Sequence, residues 1–98
     1  MVNFKLEEDS LKCIFNGRMD TAACQTIAGE IDDQLNKNAG MSVIFDMENV
    51  GYVSSAFLRI CIKASKKLGN ESFSIKNVDP QVKKVFKISG FDSIMNIE

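Results

Sequence analysis

The stretch "VIFDMENVGYVSSAFLRI", residues 43–60, contains a change from a strand pattern to a helix pattern. It opens on the short apolar run Val43–Phe45, which is typical of a strand covered on both faces. From residue 58 to residue 68 the apolar side chains instead recur every three or four positions, which is typical of a helix. Two adjacent serines, Ser54 and Ser55, stand where one pattern gives way to the other. The stretch therefore predicts a strand, a short loop and a helix that begins near the serine pair.

The same alternation of strand and helix patterns runs through the rest of the chain. The remaining extended runs are Phe4–Leu6, Leu11–Phe15, Phe73–Ile75 and a final segment within "SIMNI", residues 93–97. The predicted apolar faces are Ala23, Ile27, Ile31 and Leu35 in the first helix, and Val82, Val85, Phe86 and Ser89 in the third. The predicted helix boundaries are Asp20 or Thr21 to Gly40, the serine pair to Gly69-Asn70, and Asp79-Pro80 to Gly90.

The order of these elements predicts the fold class. Strand-helix-strand units join parallel strands through right-handed crossovers, whereas the polar "EEDS" at residues 7–10 is typical of an antiparallel hairpin. We therefore expect an α/β fold, with one domain over residues 1–98 and a mixed sheet of four to five strands flanked by helices. In such a sheet the loops that leave the carboxyl ends of the strands gather the functional groups, and the serine pair follows one of these ends.

The composition narrows the classes of function. The 98 residues carry a net charge of −1 and no histidine, so we expect neither nucleic acid nor a membrane as the partner, and no zinc site. Cys13, Cys24 and Cys61 are far apart and occupy apolar positions, which is typical of core packing rather than of a metal or another cofactor. Unpaired thiols suit a reducing cytosol, and the chain has no signal-peptide core or apolar run of membrane length. These features predict a cytoplasmic protein.

Three interpretations of the serine pair are open. In the first, Ser54 only caps the helix through a hydrogen bond from a backbone N–H, and Ser55 lies in the first turn. In the second, a serine is a nucleophile; this needs a base, but no histidine or GxSxG motif is present, so we expect no enzyme. In the third, Ser55 is a substrate. Phosphorylation there would add about −1.5 to −2 charges and would need no base from this chain.

The quoted stretch resembles the centre of a STAS domain, the module of bacterial anti-sigma-factor antagonists. In that family an apolar strand, an acidic residue and a short aromatic step lead to Asp-Ser-Ser-Gly or Ser-Ser-Ala-Gly at a helix start. "FNGRMD", residues 15–20, resembles the family's Gly-x-Leu-Asp, and "KNVDPQVKKVFKISGF", residues 76–91, resembles its Asn-x-x-Pro-x-Val-x-x-x-Phe-x-x-Ser-Gly-Leu segment. The ordered matches run from about Leu11 to Ile94, so the resemblance covers nearly the whole chain.

The resemblance implies a non-enzymatic regulator that acts on transcription indirectly. A family member of this kind binds an anti-sigma factor with an ATPase and serine-kinase fold and so frees the sigma factor. The kinase phosphorylates the antagonist and ends the binding, and a separate serine phosphatase resets the cycle. Aligned through Leu58, the phosphorylated serine is Ser55, with Ser54 as the alternative, and Asp20 borders it. The resemblance and the position of the loop predict a partner-binding set of Asp20, Gly51, Tyr52, Val53, Ser54, Phe57 and Arg59.

The chain departs from the family pattern at three points. Ser54 stands where aspartate is common, Phe57 stands where a glycine usually follows, and the final amphipathic helix of many relatives has no counterpart before Glu98. Two alternatives are open for Phe57: core packing, or an apolar docking patch with Tyr52 and Val53.

Two further alternatives concern function. An accessory STAS subunit, or a scaffold of a signalling or transport complex, would keep the fold without the phosphorylation switch. An acid-base pair at Asp46 and Glu48 would need a cleft and a second catalytic group, so we expect these two carboxylates to be solvated loop residues.

Overall fold

This computed structural model describes residues 1–69 and 71–98, so Asn70, where the second helix is predicted to stop, lies outside the described residues. In the part of the chain that it describes, five strands form one sheet and three helices connect them. The strands are β1 (Val2–Leu6), β2 (Ser10–Asn16), β3 (Ser42–Asn49), β4 (Phe73–Lys76) and β5 (Asn96–Ile97). The helices are α1 (Thr21–Lys37), α2 (Ser55–Leu68) and α3 (Pro80–Ile88), and a 3-10 turn at Phe91–Ser93 follows α3.

The strands lie in the sheet in chain order, β1-β2-β3-β4-β5. β1 and β2 form an antiparallel hairpin, with register from Val2↔Phe15 to Leu6↔Leu11, and every later neighbour pair is parallel. The prediction of a mixed sheet is therefore confirmed. Because each right-handed crossover moves one strand further in the same direction, all three helices are placed on the same face of the sheet.

The burial pattern agrees with this one-sided arrangement. In β2, buried side chains alternate with half-buried ones, and in β3 the buried apolar side chains are Val43, Phe45 and Met47. Ile44, on the opposite face of β3, is only half-buried. Helices therefore cover only one face of β3, and the prediction that β3 is covered on both faces is wrong at Ile44. A continuous apolar run also fits a strand whose second face is only partly shielded.

Four phenylalanine rings join α2 to the sheet. The centroid of Phe15 lies 4.9 Å from that of Phe45 and 5.1 Å from that of Phe57, and Phe45 lies 4.8 Å from Phe73. All three pairs are edge-to-face, the arrangement that the ring quadrupoles favour. Phe57 is fully buried. The structure therefore selects core packing for this residue.

The helix boundaries follow the sequence signals closely. Asp79 caps α3 by accepting a hydrogen bond from the Gln81 N–H at 2.8 Å, with Pro80 as the first helical residue. α1 ends at Lys37, before Gly40. α2 is capped at its C-terminus by Gly69, whose φ of +81° glycine adopts without strain.

The predicted apolar faces of α1 and α3 differ from the observed buried faces at single positions. The buried residues of α1 are Cys24, Ile27, Ile31 and Leu35, so Cys24 takes the place predicted for Ala23. Only Val82 and Phe86 of α3 are buried, whereas Val85 and Ser89 are exposed. A nine-residue helix that contacts the core along one side buries a narrow stripe, and Val85 points about 60° away from Val82 on the far side from Phe86. Of "SIMNI" only Asn96–Ile97 pairs as a strand.

The cysteines behave as apolar core residues. Cys13, Cys24 and Cys61 are all buried free thiols. Among the helices of the described residues, none combines the length and the apolar character that a bilayer crossing requires.

Candidate functional site

Two loops leave the sheet from neighbouring points. Asn16 at the end of β2 is paired with Asn49 at the end of β3, and the Asn49 side-chain amide donates to the Asn16 Oδ1 at 3.0 Å. The Gly17 N–H also donates to the Asn49 carbonyl at 3.2 Å. Since both strands point the same way, the loops to α1 and α2 start side by side at the carboxyl edge of the sheet.

The two loops stay paired as far as the helices. Met19 and Val53 form a parallel bridge, in which the Met19 N–H donates to the Tyr52 carbonyl at 3.0 Å and the Ser54 N–H donates to the Met19 carbonyl at 2.9 Å. Met19 and Val53 are both buried, which anchors the bridge in the core. The next residue in each loop, Asp20 in one and Ser54 in the other, is therefore held next to its counterpart.

These two neighbouring residues are the helix caps. The Asp20 Oδ1 accepts a hydrogen bond from the Ala23 N–H at 2.9 Å, and the Ser54 Oγ accepts one from the Phe57 N–H at 3.4 Å. The buried Cys24 thiol lies beneath them, 4.0 Å from the Ser54 Oγ. The prediction that Ser54 caps α2 is confirmed, and of the two candidates for the cap of α1 the structure selects Asp20.

Ser55 is in a different position from its neighbour. It is the first residue of α2 and is exposed, whereas Ser54 is half-buried and engaged as the cap. The buried residues of α2 are Phe57, Cys61 and Ala64, so Ser55 lies on the opposite, outward side of the helix. The structure therefore leaves the second hydroxyl of the pair accessible to another protein.

A cation–π contact borders the serine pair, and sequence reasoning missed it. The Arg18 guanidinium carbon lies 4.1 Å from the centroid of the Tyr52 ring, and both side chains are exposed. The two residues are far apart in the chain, and no spacing rule links them. The bridge between Met19 and Val53 brings them together, because Arg18 and Tyr52 are the residues just before it.

The predicted partner-binding residues fall into two groups. Gly51, Tyr52 and Arg59 are exposed, and Asp20 and Ser54 are half-buried caps at the same surface. Val53 is 7% exposed and Phe57 is 0% exposed, so the prediction that these side chains lie on the partner-binding surface is wrong. Val53 is buried by the bridge between the loops, and Phe57 by its ring contacts with the sheet. Both support the surface from beneath.

Asp46 also departs from its prediction. It is buried on the helix-free face of the sheet, where its Oδ1 accepts hydrogen bonds from the Asn77 amide and the Glu48 N–H, each at 3.1 Å. The Lys12 ammonium lies 3.5 Å from its Oδ2. Burial alone would raise the pKa of Asp46, but the two hydrogen bonds and Lys12 outweigh that effect and lower the pKa below its ordinary value. Asp46 is thus a structural carboxylate and not a solvated one.

The Asn77 backbone is shaped for this contact. Its φ is +60°, in the left-handed region that asparagine tolerates better than most residues. The Asn77 side chain ties the end of β4 to β3 through Asp46.

A buried thiol lies close to the serine pair. Burial raises the pKa of this thiol, that of Cys24, whose Sγ lies 4.0 Å from the Ser54 Oγ. Within residues 1–69 and 71–98, no three His, Cys, Asp or Glu side chains are grouped to hold a metal ion. A cavity of about 280 Å³ lies elsewhere, against β3, β4 and β5, and none of the predicted site residues lines it.

Comparison with known proteins gives the family. The model of the STAS domain family matches residues 6–98, nearly the whole chain. The chain therefore belongs to the STAS domain family, which confirms the resemblance drawn from its motifs.

Individual relatives are similar to this chain in sequence or in structure. BtrV of Bordetella bronchiseptica, named as a candidate anti-sigma factor antagonist, is 28% identical over 95 residues, which span 95% of this chain and 80% of BtrV. A solved anti-sigma factor antagonist from Mycobacterium paratuberculosis has a TM-score of 0.89 at 16% identity, covering 99% of this chain and 83% of that one.

The anti-sigma factor antagonist SpoIIAA is similar in two solved forms. Its unphosphorylated form has a TM-score of 0.81 at 19% identity, covering 100% of this chain and 88% of that one. The phosphorylated form of the Bacillus protein has a TM-score of 0.73 at 18% identity, covering 100% and 91%. At these identities the structural matches show a shared fold.

Proposed function

We propose that this protein is an anti-sigma factor antagonist, and that phosphorylation of Ser55 switches its binding to an anti-sigma factor of the serine-kinase type. The observation that carries the proposal is the different environment of the two adjacent serines. Ser54 is held as the cap of α2, and Ser55 is exposed on the outward side of the first turn. The match to BtrV and the existence of SpoIIAA in a phosphorylated form support it.

The chain needs no catalytic group of its own for this switch. The kinase transfers the γ-phosphoryl group of ATP to the Ser55 Oγ, its own base takes the hydroxyl proton, and ADP leaves. This agrees with a chain that has no histidine and whose thiols are buried. A serine phosphatase would hydrolyse the phosphate ester and restore the hydroxyl.

The effect of the phosphate on binding is electrostatic. In the unmodified protein the partner meets a neutral hydroxyl on a surface formed by Tyr52, Gly51 and the two helix caps. A phosphate brings about −1.5 to −2 charges to that point, and an unpaired charge in a packed interface costs several kcal/mol. Since each 1.4 kcal/mol changes affinity about tenfold, a micromolar complex would be lost.

Binding and modification can be measured on the same variants. We expect Ser55→Asp to weaken the complex with the kinase-type anti-sigma factor of the same organism at least about tenfold by calorimetry. Asparagine has the shape of aspartate without its charge, so Ser55→Asn should weaken the complex far less than Ser55→Asp. Ser55→Ala should bind like the wild type. After incubation with ATP, mass spectrometry of the wild-type complex should find one phosphate, on Ser55.

Other outcomes would contradict the proposal in distinct ways. A phosphate on Ser54 would move the switch to the cap residue. Equal binding by the Asp, Asn and Ala variants, with no phosphate incorporated, would instead support an accessory STAS subunit. ATP-independent turnover that Ser55→Ala abolishes would indicate an enzyme.

A further inference from the structure

Arg59 lies one helical turn beyond Ser55. Residues four apart on an α-helix are neighbours on its surface, with Cβ atoms about 5–6 Å apart. Ser55 and Arg59 are both exposed, opposite the buried side formed by Phe57, Cys61 and Ala64. The two side chains therefore share one outward stripe of α2.

The charge of Arg59 is available for a new contact. Among the described residues, the ion pairs join Lys12 to Asp46, Lys37 to Asp33 and Lys63 to Asp32, and Arg59 takes part in none of them. The other arginine of this surface, Arg18, is engaged over the ring of Tyr52. Of the two, Arg59 has the side chain that is free to turn toward Ser55.

We propose that Arg59 is the intramolecular partner of a phosphate on Ser55. The proposal rests on the proposed function in one respect, that Ser55 is the modified residue. An anion followed four residues later by a cation is the favourable order on a helix, because it also agrees with the helix dipole. The planar guanidinium can donate two parallel hydrogen bonds to two phosphate oxygens, which makes arginine the better side chain here than lysine.

The pair would make phosphorylation change the surface at two points. The phosphate adds negative charge at Ser55 and simultaneously withdraws the positive charge of Arg59 from a docking protein. Arg59 belongs to the predicted partner-binding residues, so the modified protein would lose a contact as well as gain a repulsion. Because Arg59 would offset only one of the phosphate's charges, a net negative charge would remain at Ser55, and the switch would act through both changes.

The ionisation of the phosphate itself reports this pair. We would install phosphoserine at position 55 during expression, so that neither kinase nor partner is needed, and follow the second ionisation by ³¹P NMR as a function of pH. Because Arg59 favours the dianion, we expect the phosphate pKa in Arg59→Gln protein to exceed that of the wild type by about 0.3, the size of a helical ion pair. Arg59→Lys should restore part of the difference.

Matched variants separate this pair from general electrostatics. Lys66→Gln removes one positive charge from the same exposed side of α2, about three turns from Ser55, and should leave the phosphate pKa at the wild-type value. The difference between wild type and Arg59→Gln should disappear in 1 M NaCl and in urea-unfolded protein.

Two results would overturn the proposal. The first is an identical phosphate pKa in wild type and Arg59→Gln at low salt. The second is a rise in the pKa on Arg18→Gln but not on Arg59→Gln, which would assign the contact to the arginine over Tyr52. Either would leave phosphorylation of Ser55 itself standing, because the kinase assay tests that separately.

Discussion

Two adjacent hydroxyls in this chain have different surroundings, and the difference arises at the scale of single residues. Ser54 has an extended backbone and accepts a hydrogen bond from the helix that it caps, whereas Ser55 is already helical and faces solvent. The sequence predicted this division from the preferences of helix starts. The sequence left the direction of the Phe57 side chain open, because its position near a helix start allows it to point into the core or toward solvent. Its ring contact with Phe15, a residue 42 positions earlier, decided the matter.

Asp46 provides a prediction at the residue scale. Its pKa is lower in the folded chain than the ordinary value of 3.8, so its carboxylate stabilises the fold fully above about pH 4 and progressively less as the pH falls through the folded-state pKa. We expect Asp46→Asn to lower the free energy of unfolding at pH 7 by about 1–2 kcal/mol, because its hydrogen bonds are then made to a neutral acceptor and the ion pair with Lys12 is lost. The difference in the free energy of unfolding between wild type and Asp46→Asn should become smaller below pH 4.

Urea denaturation at a series of pH values measures the difference in the free energy of unfolding between wild type and Asp46→Asn. Glu30→Gln, an exposed carboxylate in α1, is the matched control and should change the free energy of unfolding by less than about 0.5 kcal/mol at pH 7. A constant gap between wild type and Asp46→Asn from pH 7 to pH 2 would show that the carboxylate charge has no part in the stability.

At the scale of elements, the site depends on the alignment of two helix starts. β2 and β3 end together, their loops form the bridge at Met19 and Val53, and the caps Asp20 and Ser54 follow in register. Local signals predicted each cap separately. Their adjacency needs the parallel pairing of two strands far apart in sequence, and no local signal encodes that register.

The two caps should differ in strength. The Asp20 carboxylate accepts its hydrogen bond at 2.9 Å, whereas the Ser54 hydroxyl accepts at 3.4 Å, near the limit of a hydrogen bond. We therefore expect Asp20→Ala to lower the free energy of unfolding by about 1–2 kcal/mol and Ser54→Ala by about 0.5 kcal/mol. Denaturation midpoints in urea, at constant slope, give both values.

Ser55→Ala is the control for both caps. Because Ser55 is exposed and helical, its removal should change the stability by less than about 0.5 kcal/mol. If Ser55→Ala destabilised the protein more than Ser54→Ala, the assignment of the cap would be wrong.

At the scale of the whole molecule, one core on one side of the sheet holds the fold together. It joins apolar residues of the strands and of all three helices, together with the three thiols. Burial raises the pKa of Cys13 to about 12 and that of Cys61 well above its ordinary value, because the core disfavours the thiolate. Thiol reactivity should therefore report on the opening of this core.

We expect the native protein to react with Ellman's reagent at pH 8 only as fast as it unfolds. In guanidinium all three thiols should become reactive in the same unfolding transition, since the cysteines belong to one cooperative unit. Lys66→Cys, which places a thiol on the exposed side of α2, is the positive control and should react at once in the native state. Rapid reaction of a single native thiol, above all Cys24 beneath the caps, would instead reveal a local opening of the site.

Local sequence patterns were enough to predict the kinds of elements, their order and most of their boundaries, because periodicity, caps and glycine stops act between residues close in the chain. The sequence also pointed to Ser55, through helix-start preferences and the family motif. Four features could be read only from the folded protein: which sheet face the helices cover, the burial of Phe57 and Val53, the burial of Asp46, and the contact of Arg18 with Tyr52. Those features depend on which distant segments pair and in what register. Because these contacts join residues far apart in the chain, no short stretch of sequence predicts them.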